Sequence, residues 1–132
     1  MTVPRKEIAV TIVDDKIVAA GGQRSNNLAT GFTDVIEVID ANNYAIETLN
    51  MSEINYHMTG ISVGDKAVFV GGRTNAAEII DLTNMMVTTT ILGDESDNLY
   101  EIKGTTLGDK AYFAGARYDN GDKVFILSLI HI

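Results

Sequence analysis

A fourteen-residue pattern that occurs three times is the strongest constraint on how this chain folds. Residues 9–22, 59–72 and 103–116 align without gaps around a shared Asp-Lys pair. That pair falls at 15–16, 65–66 and 109–110, so the units are offset by 50 residues (15 to 65) and then 44 (65 to 109). Self-similarity at such periods belongs to propellers, solenoids and arrays, whose units bury their apolar faces only against neighbours.

Each unit reads as β structure. Val, Ile, Phe and Tyr crowd the segments on both sides of each Asp-Lys, and such residues suit a pleated, half-buried surface. Asp14-Asp15, Gly64-Asp65 and Gly108-Asp109 stand where a tight turn must fall, and Gly and Asp tolerate the backbone angles a two-residue hairpin demands. In the first two units a third strand (34–40, 76–81) and a fourth (44–49, 85–91) follow, divided by Asn42-Asn43 and Thr83-Asn84. No segment has helical periodicity over a useful length. The expected fold class is therefore all-β: two four-stranded antiparallel blades plus an incomplete third, forming part of a propeller. A β-sandwich of three hairpins is the competing architecture.

Composition excludes several classes. The chain carries 18 acidic against 10 basic residues, a net charge of −8, and has no basic run, so nucleic acid is not an expected partner. Without cysteine there can be no disulfide, thiolate metal site or cysteine nucleophile. The first ten residues lack the apolar core of a signal peptide. The longest apolar run, Val124 to Ile132, is too short for a bilayer span of about 20 residues. No membrane association is expected, and no compartment is assigned.

The repeat resembles the kelch motif. Kelch units end their second strand on a double glycine, matched here by Gly21-Gly22 and Gly71-Gly72 and weakened to Gly115-Ala116. Ile39-Asp40 and Ile80-Asp81 stand where that family has an apolar residue or Tyr followed by Asp. The chain departs from the pattern in having no Trp, with Ile46 and Val87 at the place where the family usually has one. The resemblance implies blades at about 7–50 and 57–92, and a partial blade at about 102–126. It implies structural roles for Gly21, Gly22, Gly71, Gly72 and Gly115.

Residues 127–132, Leu-Ser-Leu-Ile-His-Ile, resemble a translated sequencing-adapter end. They are read as a non-native tail on a reading frame cut in its third blade, the remaining blades being missing from the chain. Propellers of this class close with about 4–8 blades, so an isolated open arc is expected to be marginally stable.

Loops between second and third strands open at the same end as the blade-to-blade loops, and rigidly held loops concentrate binding residues. Arg24, Arg73 and Arg117 recur one or two residues after the glycine step, and Tyr118 follows the last of them. The guanidinium fork suits a carboxylate, so these four are the candidate ligand-binding residues for an acidic partner. The competing reading pairs each arginine with a nearby acid such as Asp34, Glu78 or Asp119. Two oxygen-rich loops, 94–97 and 119–122, match no EF-hand pattern. His57 aligns with no histidine in the other units and has no nucleophile beside it, so no catalytic residue, metal site or cofactor is named.

The resemblance implies a non-enzymatic recognition module that binds a protein or peptide, an acidic one suiting the arginines, through its inter-strand loops. The alternatives are a piece of a kelch-type enzyme, similar to sugar epimerases or oxidases, with its active site in missing blades, or a surface repeat array. An enzyme is the less favoured reading.

Overall fold

The computed structural model describes residues 4–24, 31–93, 99–115 and 124–128. Among the described residues it is all-β, with no helix. Strands β1 (Ala9–Val13), β2 (Lys16–Ala20), β3 (Val35–Asp40) and β4 (Ile46–Asn50) form the first sheet. The second comprises β5 (Met58–Val63), β6 (Lys66–Gly71), β7 (Ala76–Asp81) and β8 (Met86–Ile91). The third comprises β9 (Lys103–Leu107), β10 (Lys110–Ala114) and β11 (Val124–Ser128). All pairs are antiparallel, and each sheet is a meander in chain order. Three sheets of four, four and three strands thus make an open arc of blade-like units, in place of the two-layered sandwich.

The repeated Asp-Lys has a physical purpose. Val13 pairs with Lys16, Val63 with Lys66 and Leu107 with Lys110, so each hairpin turns on two residues. Its first turn residue has positive φ: 53° at Asp14, 57° at Gly64 and 61° at Gly108. The lysine opening the second strand then faces the last residue of the third, which is Asp40 or Asp81 in the first two sheets. Lys16 reaches Asp40 at 2.8 Å, and Lys66 lies 3.1 Å from Asp65 and 3.8 Å from Asp81. The aspartate joins the turn beyond: Asp15 accepts from the Asn42 amide at 2.6 Å, and Asp65 from the Thr83 hydroxyl at 2.7 Å. These bonds hold the Asp40 and Asp65 carboxyls below the usual carboxylate range, chiefly through Lys16 at the first and Thr83 at the second. Lys16 and Lys66 are raised in turn, chiefly by Asp40 and Asp65.

The core lies between sheets. Val18, Ala20, Ile36 and Val38 of the first sheet cluster with Ala67, Phe69 and Ile80 of the second. The opposite face of the second sheet, with Val68, Val70, Ala77 and Ile79, packs on Ala111, Phe113 and Leu127 of the third. Being covered on both faces, β6 and β7 are almost continuously buried, which explains their unbroken apolar runs. The first strands β1, β5 and β9 lie next to one another along the arc, whereas β4 and β8 are largely exposed at the outer edge.

Volume is exchanged across one cross-strand pair. In the second and third sheets Phe69 faces Gly60 and Phe113 faces Gly104, and a Cβ on either glycine would come within 2.7 Å of the ring. In the first sheet the same pair is Val10 and Ala19. A large residue always faces a small one, but which strand supplies it changes. In the third sheet β11 runs on through Leu127 and Ser128, the first two residues of the segment read as a tail. Leu127 is buried opposite Ala111, as Ile80 is opposite Ala67; residues 129–132 lie outside the described residues.

Candidate functional site

The double glycines form the seam between successive sheets. Gly21 and Gly22 have φ of 64° and 102°, and Gly71 and Gly72 have 95° and 77°, a region that L side chains avoid. The Gly22 N–H donates to the Asn55 carbonyl at 2.9 Å, and the Gly72 N–H to the Leu99 carbonyl at 3.2 Å. Each acceptor lies in the segment leading into the next sheet. A Cβ on Gly71 would lie 2.5 Å from the Leu99 carbonyl oxygen, and one on Gly72 would overlap the Tyr56 carbonyl. At Gly115, also at positive φ, an added Cβ would meet nothing within 4 Å among the described residues.

Those leading segments are themselves a repeat. Arg5-Lys6-Glu7, Asn55-Tyr56-His57 and Leu99-Tyr100-Glu101 occupy equivalent places, and the third residue of each has positive φ (58°, 57° and 60°). Arg5 and Asn55 perform one task with different chemistry. The Arg5 guanidinium donates to the Gly21 carbonyl (2.7 Å), the Val35 carbonyl (2.9 Å) and Glu37 (2.6 Å). The Asn55 amide donates to the Gly71 carbonyl at 2.8 Å, while its oxygen accepts from the N–H groups of Tyr56 and Arg73, both at 2.9 Å. The Arg5 and Glu37 side chains are each only 1% exposed, a buried ion pair. Glu78, at the place in β7 that Glu37 holds in β3, accepts from the Ser52 N–H (3.0 Å), the Ser52 hydroxyl and the Thr89 hydroxyl (2.7 Å).

At this end of the arc the loops assemble an aromatic strip across all three sheets. Phe32, from the β2–β3 loop, stacks on Tyr56 with centroids 4.1 Å apart and planes 8° from parallel. Tyr56 tilts against Tyr100 at 6.2 Å, and their hydroxyls are 3.4 Å apart. His57 packs on both tyrosines, and its Nε2 lies 3.5 Å from a Glu7 carboxylate oxygen. The Arg73 guanidinium sits over the Phe32 ring, 5.9 Å from its centroid, a cation–π arrangement. Phe32, Tyr56 and Tyr100 are half-buried, while His57 and Arg73 are exposed. Rings with one face packed and the other open supply contact area at low entropic cost.

Of the four residues singled out by sequence, Arg73 stands in this strip. Arg24 is exposed in the β2–β3 loop, its N–H donating to the Gly31 carbonyl at 2.6 Å. Arg117 and Tyr118 lie outside the described residues, as do the oxygen-rich loops 94–97 and 119–122. The buried arginine–carboxylate pair is Arg5 with Glu37, neither of which the spacing of the glycine steps singles out. That spacing does not single out Phe32, Tyr56 or Tyr100 either, although Tyr56 and Tyr100 are separated by the same 44 residues as the Asp-Lys pairs of their units. Among the described residues, no three His, Cys, Asp or Glu side chains are grouped where a metal ion could be held. No protein-family model matches the chain, and neither does any curated protein.

Proposed function

We propose that the chain is a non-enzymatic recognition module, part of a kelch-type propeller, that binds a protein or peptide through its loop end. The observation carrying this reading is the aromatic strip of Phe32, Tyr56 and Tyr100 with Arg73 over one end. Its residues come from loops and linkers of three different sheets, tied together by backbone hydrogen bonds from Gly22 to Asn55 and from Gly72 to Leu99, and such ties lower the ordering cost of binding. Aromatic and arginine side chains dominate binding energetics at protein interfaces. The guanidinium favours an acidic ligand, because it can hold a carboxylate through two parallel hydrogen bonds. The unclosed arc of antiparallel sheets supports a blade-type fold, and the kelch-type reading itself rests on the double glycines of the sequence.

The test is an array of acidic, neutral and basic peptides exposed to the full chain, with hits measured by calorimetry. Acidic peptides should bind best. Tyr100→Ala and Arg73→Ala should each weaken them by about 30-fold, the equivalent of roughly 2 kcal/mol at a hot spot. Unchanged affinity in both variants would remove the strip from the binding surface.

A further inference from the structure

We propose that the open face of the third sheet docks the first sheet of a second copy of this chain, joining arcs head to tail. The second sheet shows what both of its faces do when covered. Its face toward the third sheet carries Val63, Ala77 and Ile79, which are 5%, 0% and 1% exposed. The register places Leu107, Val124 and Ile126 at those positions in the third sheet, and they are 71%, 64% and 59% exposed. Tyr112 joins them on that face, opposite both Thr105 and Ile126. No described residue covers this surface.

The matching partner is at the other end of the arc. The second sheet meets the first through Ala67 and Ile80, both fully buried. Their equivalents in the first sheet, Ile17 and Ile39, face away from the second sheet and are half-buried, with Ile12 exposed beside them. One end thus presents the counterpart of the surface that the second sheet offers to the third, and the other end the counterpart of the surface that the second sheet offers to the first. The docked pair would continue the interface already formed twice within the chain, between the first and second sheets and between the second and third. Because the two patches differ, the contact is heterologous, and it makes rings where the rotation closes and open chains where it does not. Burial of apolar area supplies the driving force.

The experiment is sedimentation velocity on the full chain from low micromolar to several hundred micromolar, with near-ultraviolet circular dichroism to confirm folding. Wild type should grow in mass with concentration. Ile126→Lys blocks the third sheet and Ile17→Lys blocks the first, so each variant alone should be a monomer. Mixed together they retain one good face each, and should form a one-to-one dimer that grows no further. Should Ile17→Lys unfold, Ile12→Lys replaces it, since that side chain is already exposed. A folded wild type that stays monomeric throughout would overturn the proposal and leave the face to a different occupant. A mixture that fails to pair, or single variants that still associate, would overturn the head-to-tail geometry.

Discussion

Arg5→Met should be among the most damaging single substitutions in this chain. The guanidinium makes three bonds, to the carbonyls of Gly21 and Val35 and to Glu37, and both charged side chains are almost wholly buried. Methionine keeps much of the volume but leaves the Glu37 carboxylate without the Arg5 cation and takes one donor from the Gly21 carbonyl, while the Val35 carbonyl still accepts from the Gly21 N–H. Breaking a buried pair from one side costs about 3–5 kcal/mol, most of it the penalty of the stranded charge. A domain has only about 5–15 kcal/mol in all, so the loss is a large share. With a urea slope of about 1–3 kcal/mol/M, the midpoint should fall by about 2 M. Arg5→Met combined with Glu37→Leu should recover most of that loss, because neither charge of the pair remains. Tyrosine emission can follow the transition cleanly in this Trp-free chain. A single variant within about 1 kcal/mol of wild type, or a double variant no better than the single, would refute the reasoning.

Other outcomes follow from the seam and the turns. Gly72→Ala should destabilise by about 2–4 kcal/mol, since positive φ and overlap with the Tyr56 carbonyl act together, whereas Gly115→Ala, whose Cβ meets no described residue, should cost about 1–2 kcal/mol from its φ; comparing urea midpoints tests this. Asp40, whose folded pKa is depressed chiefly by Lys16, contributes stability that is present above the usual carboxylate value of about 4 and is lost as pH falls through its lower folded value. Asp40→Asn should therefore flatten the acid limb of the stability–pH curve and leave the neutral-to-basic part of the profile less stable than wild type.

Much of the fold is legible in the sequence because hairpin signals are local. Asp14-Asp15, Gly64-Asp65 and Gly108-Asp109 mark their own turns, and the apolar runs around them have no competing helical period. The double glycines are equally legible as special backbone positions, but the carbonyls they admit are distant in sequence: Asn55 and Leu99 lie well downstream of Gly21 and Gly71, and Tyr56 well upstream of Gly72. The candidate site is less legible for two reasons. Phe32 has no counterpart in the other units, so alignment of repeats passes over it. Arg5 and Asn55 do the same work with different side chains, so identity cannot reveal their equivalence. The aligned arginines point to the end of the blades where the candidate site lies, while the convergence of rings there depends on how three sheets pack.

The exchange of volume between Val10–Ala19 and Gly60–Phe69 has a consequence for how such a chain can diversify. Tandem repeats recombine readily, and the aligned turns at 14–15 and 64–65 are natural places for a crossover. A crossover there joins β1 to β6 and sets Val10 against Phe69, while the reciprocal product sets Gly60 against Ala19. The first hairpin is overfilled and the second has a hole. Exchange of intact hairpins, with breakpoints in the connections that follow them, would keep each large residue opposite its small partner.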